Sequence, residues 1–126
     1  MTIPNPAVDQ YVSLATFRRD GREVRTPVWI AGGPVRFYVF SAGDAGKVKR
    51  IRNNGRARLA TCDVRGKLAS DWVDAHARIL SDEEEIGAAL QALRNKYGLL
   101  MKLGDVFAKL SGRFQRRAYL EIRLVK

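Results

Sequence analysis

The sequence predicts a mainly β domain of the α+β class, with a largely antiparallel sheet closed into a small barrel and helices flanking it. Three observations predict it. Period-two runs rich in β-branched and aromatic residues recur along the chain, as strands require. Asp20-Gly21 and Gly32-Gly33-Pro34 separate the first runs at hairpin spacing. Six such runs within 126 residues leave edges that must be covered or joined, and a barrel is the economical way to do so.

Each element has its own signal. In the first strand Val12, Leu14 and Thr16 alternate with Tyr11, Ser13 and Ala15. Asp20-Gly21 then tolerates the positive φ of a tight turn. Val24, Thr26, Val28 and Ile30 share one face of a second strand. Pro27 has no N–H, so this strand carries an edge or a bulge. The third strand sets Val35, Phe37 and Val39 against Arg36, Tyr38 and Phe40. Gly46 to Asn53 reads as a short helix with Val48 and Ile51 on one face, stopped by Asn54-Gly55. RARLATCD is a fourth strand, and SDWVDAHARIL, after Arg65-Gly66, a longer fifth. SDEEEIGAALQALRNKYG is the clearest helix, with Ser81 and Glu84 as a capping box and Ile86, Leu90, Leu93 and Tyr97 as its apolar stripe. Its acids crowd the first turn, where the helix dipole favours them, and Gly98 stops it. Leu99 to Leu110 predicts another helix, and AYLEIRLVK a final strand with Leu120, Ile122 and Leu124 on one face. No linker divides the chain, so residues 1–126 are expected to form one domain.

Composition narrows the function classes. Lys and Arg number 23 against 13 Asp and Glu, a net charge of +10, which points to an anionic partner. Apolar content of 46% argues for a packed core rather than disorder. One cysteine, Cys62, forms no internal disulfide, and a reducing, cytoplasmic setting is expected. MTIPNPAVDQ lacks the apolar run of a signal peptide, and no stretch approaches the roughly 18 apolar residues that span a bilayer.

No catalytic constellation stands out. His76 is the sole histidine and reads as structural, with no nucleophile elbow to join it. Asp71 and Asp74 fall on opposite strand faces, and no phosphate-binding glycine signature occurs. The charge-bearing feature is SAGDAGKVKRIRNNGRAR, residues 41–58. Lys47, Lys49, Arg50, Arg52, Arg56 and Arg58 stand within twelve positions, with no acid among them. A small-residue turn leading into a helix N-terminus offers backbone N–H groups to an anion, and lysines beside it strengthen the attraction.

TPVWIAGGPVRFYVFS, GKVKRIRNNGRARLATCD, RGK and AHARIL together resemble the flavin/deazaflavin oxidoreductases related in fold to pyridoxamine-phosphate oxidase, and within them the PPOX-class F420-dependent oxidoreductases. The resemblance covers nearly the whole chain. It implies an antiparallel six-stranded split β-barrel of the FMN-binding type. It implies a homodimer with the cofactor in a groove between subunits. The implied cofactor is coenzyme F420, with FMN as the alternative. By the same resemblance Ser41 and Lys47 contact the cofactor phosphate, with Lys49 or Arg50 next to them. Thr26, Pro27, Val28 and Trp29 line the ring, and Cys62 packs near it. The activity implied is hydride transfer to a small unsaturated, carbonyl or quinone-like substrate, with no catalytic side chain assigned. A third reading, from charge and aromatics alone, is a basic barrel that binds single-stranded nucleic acid on Trp29, Tyr38, Phe40 or Trp72.

Overall fold

A computed structural model describes residues 11–33, 35–43, 45–63, 65, 67–68, 70–98 and 117–125. These residues form β1 (Tyr11–Phe17), β2 (Glu23–Val28), β3 (Ile30–Gly32), β4 (Arg36–Ala42), α1 (Gly46–Asn53), β5 (Arg56–Cys62), β6 (Val73–Ile79), α2 (Glu83–Tyr97) and β7 (Arg117–Leu124). The helix expected at Leu99 to Leu110 lies outside the described residues.

All seven strands belong to one antiparallel sheet, in the order β2-β1-β5-β6-β7-β4-β3. The expected count of six is therefore corrected to seven. The second predicted strand is two strands, β2 and β3, divided at Trp29. Its halves pair with different neighbours, Val28 with Val12 on β1 and Ile30 with Val39 on β4. They stand at opposite ends of the sheet order, yet one residue joins them. A sheet whose two outermost strands are covalent neighbours must curl until its edges meet, which makes the half-barrel.

The interior follows from strand alternation. Val12, Leu14, Val28, Ile30, Phe37, Val39, Ala57, Leu59, Leu120 and Ile122 form one buried cluster, and Ile51 reaches it from α1. α2 covers the outside instead. Its Ala89, Leu93 and Tyr97 pack with Ala31, Leu80 and Tyr119, with Trp29 and Phe40 at the margin. The N-cap of α2 is Asp82, whose carboxylate accepts the Glu84 N–H at 2.8 Å, in place of the expected Ser81. An Asp caps as well as a Ser, so the helix begins one residue later.

Glu121 ties α2 to the sheet. It is 2% exposed, and its carboxylate accepts from Arg78 Nη2 at 3.0 Å and Arg123 Nε at 2.8 Å. Burial pushes this carboxyl up, but the bonds from the two arginines outweigh that and hold it below its ordinary value. Arg78 in turn bonds Glu85 in the first turn of α2, and the paired carboxylates raise its pKa. No helix among the described residues is long and apolar enough to cross a membrane.

Candidate functional site

The β2–β3 joint and the end of β4 open a pocket of about 440 Å³. One side is apolar, made by Pro27, Val28, Trp29 and Phe40. The other carries Ser41, Lys47 and Arg117, with Tyr11, Ala42 and Ala45 completing the wall.

The apolar side is built by the split strand. Trp29 belongs to neither β2 nor β3, so it leaves the ladder and its ring is half-buried. Tyr97 holds the residue that follows it. The Ile30 N–H donates to Tyr97 Oη at 2.8 Å, and Tyr97 Oη donates to the Ile30 carbonyl at 3.0 Å. Lys96 Nζ donates to the same carbonyl at 2.6 Å. These bonds supply Ile30 with partners beyond the ladder at the break. Burial pushes the Tyr97 phenol up to about 12, so it stays protonated and able to donate.

The polar side is built by the end of β4 and the start of α1. Ser41 is buried on β4, and its hydroxyl donates to the Ala42 carbonyl at 3.2 Å. The chain turns with the Ala45 N–H bonded to the Ala42 carbonyl at 3.0 Å and enters α1. No side chain caps that helix, and no acid stands in its first turn. Its N-terminal N–H groups and dipole therefore keep their attraction for an anion. Lys47, half-buried, lies in the first turn. Burial lowers its pKa, and the nearby Arg50 lowers it further. Arg117 is opposite Ala42 in the β4–β7 ladder, and its guanidinium lies 4.8 Å above the Phe40 ring.

Five residues expected at the site line this pocket: Pro27, Val28, Trp29, Ser41 and Lys47. Four do not. Thr26 is one residue short of the wall, with Oγ1 buried and without a hydrogen bond among the described residues. Cys62 is buried on β5, opposite Tyr11 in the β1–β5 ladder, and burial with the adjacent Asp63 raises its thiol pKa. Lys49 and Arg50 line a different cleft, with Arg18 and Arg19. Helical geometry explains this for Lys49, which at 100° per residue projects about 200° round the axis from Lys47; Arg50 is on the nearer side, and its bond to Thr16 draws it to the other cleft. Tyr11, Phe40 and Arg117 were not expected at the site; Arg117 arrives through a pairing with a strand more than seventy residues away in sequence. Among the described residues no group of three or more His, Cys, Asp or Glu stands together as a metal site.

Residues 8–126 match the profile of the family described as Pyridoxamine 5'-phosphate oxidase. No curated protein matches the sequence. Among solved structures, the heme storage protein HutZ of Vibrio cholerae is similar at 14% identity and a TM-score of 0.71, over 96% of this chain and 85% of its own. A conserved hypothetical protein of Mycobacterium tuberculosis gives 15% identity and a TM-score of 0.70, over 95% and 76%. A FAD-binding protein of Mesorhizobium loti gives 21% identity and a TM-score of 0.63, over 95% and 82%. At these identities the likeness is one of fold.

Proposed function

Because the chain belongs to the pyridoxamine 5'-phosphate oxidase family, we propose that its pocket holds a phosphorylated flavin-type cofactor and that the protein is an F420-dependent oxidoreductase. The observation that carries this reading is the two-sided pocket. Apolar Pro27, Val28, Trp29 and Phe40 line it together with Ser41, Lys47 and Arg117, beside an uncapped helix N-terminus. The residues present fit a molecule with a flat ring at one end and a phosphate at the other, and 440 Å³ is an ordinary volume for a small-molecule site.

When bound, the deazaflavin supplies two-electron hydride transfer to a small unsaturated, carbonyl or quinone-like substrate. The chain's residues bind and orient. Lys47 and Arg117 pair with the phosphate, and Ser41 offers it a hydroxyl. Trp29 and Pro27 keep water from the ring face and fix its tilt. No side chain of the pocket is assigned a proton-transfer role. FMN is the second reading, favoured by the FAD-binding protein among the structural neighbours. The net charge of +10 favours F420, whose oligoglutamate tail is anionic.

The test is a titration with F420 and with FMN at two salt concentrations. F420 is expected to bind more tightly, with affinity falling as salt rises. Equal affinities, or no effect of salt, count against F420. The homodimer, with the pocket at its interface, is part of the same proposal. Light scattering is expected to give twice the chain mass at micromolar concentration, and a monomer there rules it out.

A further inference from the structure

We propose that the cleft between the β1–β2 hairpin and α1 is a second anion site, which takes a compact oligophosphate such as a di- or triphosphate group. The cleft has a volume of about 500 Å³, and Arg18, Arg19, Lys49 and Arg50 line it with Phe17, Asn53 and Asn54. It shares no residue with the pocket described above. Among the described residues no carboxylate lines it, and none of its four cations makes an ion pair. The carboxylates nearby are engaged elsewhere. Asp20 follows Arg19 directly, yet it accepts from the Arg22 N–H at 3.1 Å and from Arg22 Nε at 2.7 Å. Glu23 pairs with Arg25 and Arg58.

Four like charges around one cleft repel each other unless something negative comes between them. Here one of them is fixed in place. Arg50 Nε donates to Thr16 Oγ1 at 2.7 Å, and Thr16 is fully buried. The guanidinium also lies against Gly46, where a Cβ would stand 2.7 Å from its Nη1. Burial, and after it Arg18, lowers the Arg50 pKa. A guanidinium held without a carboxylate matches phosphate oxygens in geometry and in charge. Four cations call for more than one phosphate group. The aromatic residue of the cleft argues against single-stranded nucleic acid. Phe17 is buried, and the Arg56 guanidinium covers its ring at 4.3 Å, so no ring face is left for a base.

Calorimetric titration of the intact chain with tripolyphosphate and with orthophosphate tests the assignment, and needs no flavin or deazaflavin. Tripolyphosphate is expected to saturate the site and to bind at least about tenfold more tightly than orthophosphate. The double variant Arg19→Gln, Lys49→Gln, both exposed positions, is expected to weaken it by about tenfold or more with an unchanged melting temperature. The exposed Arg52→Gln, which lines neither cleft, should retain it within about twofold, and Lys47→Gln serves only to identify anion bound in the other pocket. Absence of saturable binding overturns the proposal. So does equal weakening in all these variants, which marks a diffuse field, or loss confined to Lys47→Gln, which places the anion in the other pocket. Tighter binding of a single-stranded oligonucleotide than of tripolyphosphate also overturns it.

Discussion

The rings of Trp29 and Tyr97 stack face to face, with centroids 4.4 Å apart and planes 10° from parallel. Trp29 is pocket wall, and Tyr97 is the last residue of α2. The helix therefore sets the tilt of the wall, both through this stack and through the Tyr97 hydroxyl on Ile30.

Tyr97→Phe keeps the stack and removes the hydroxyl. It takes the hydroxyl from the Ile30 N–H, while the Ile30 carbonyl keeps Lys96, and is expected to lower stability by about 1–3 kcal/mol, the range for one buried group left unpaired, and to weaken cofactor binding. The effect depends on pH. The folded phenol titrates at about 12 against an ordinary 10.0, so its contribution is complete below pH 10 and is lost as pH rises towards 12. Urea denaturation of both proteins from pH 8 upward should show the stability gap closing across that interval.

Lys47→Ala is expected to weaken cofactor binding by roughly 1–3 kcal/mol, as for a hydrogen bond to a charged group. The cofactor-free protein should hold its melting temperature or gain slightly, because this ammonium is desolvated and faces Arg50. Arg52→Ala is the control, since Arg52 is exposed and lines neither cleft. Equal losses in the Lys47 and Arg52 variants would show that no specific phosphate contact exists.

Glu121→Gln removes the charge that gathers Arg78 and Arg123. The arginines left behind are about half exposed, so the loss expected at neutral pH is about 1–3 kcal/mol, that of hydrogen bonds to a charged group. The folded carboxyl is held below its ordinary value, so its contribution is present at neutral pH and disappears as pH falls through that lowered value. Denaturation curves should converge in acid. A constant gap from neutral pH to strong acid would show that the arginines do not depend on its charge.

Gly32→Ala probes the hairpin that carries the wall. Gly32 has φ of +95°, and a Cβ there would stand 2.8 Å from the Arg36 carbonyl oxygen and 3.1 Å from the Tyr38 ring. Backbone cannot yield as a side chain does, so a loss of about 1–3 kcal/mol is expected in thermal unfolding. A loss near zero would mean that the turn relaxes to another conformation.

What was legible in the sequence is local. α1 spans Gly46–Asn53 as its spacing predicts, with Val48 and Ile51 buried, and Gly98 ends α2 with φ of +54°. The β2–β3 break was not legible. Alternation from Val24 to Ile30 is continuous, and only pairing of its two halves with different strands, β1 before and β4 after, shows that Trp29 leaves the ladder. Pro27 marked the region as irregular, two residues early. At the site, Lys47 and Ser41 follow from a strand running into a helix, which a short window contains. Arg117 depends on the β4–β7 register, which no local pattern encodes. The turn of Lys49 away from Lys47 could have been read from helical angle alone.

The sheet order has a kinetic consequence. β7, the last strand along the chain, lies between β6 and β4, and without it the order falls into two ribbons, β2-β1-β5-β6 and β4-β3. A growing polypeptide thus cannot knit the sheet strand by strand as it emerges. Until β7 arrives, β6 and β4 each present an unpaired backbone edge, the kind of surface that recruits other chains. The long-range contacts that β7 makes predict slow folding for a chain of this size. Prolonged exposure of those two edges makes the yield of native protein fall as the concentration during refolding rises.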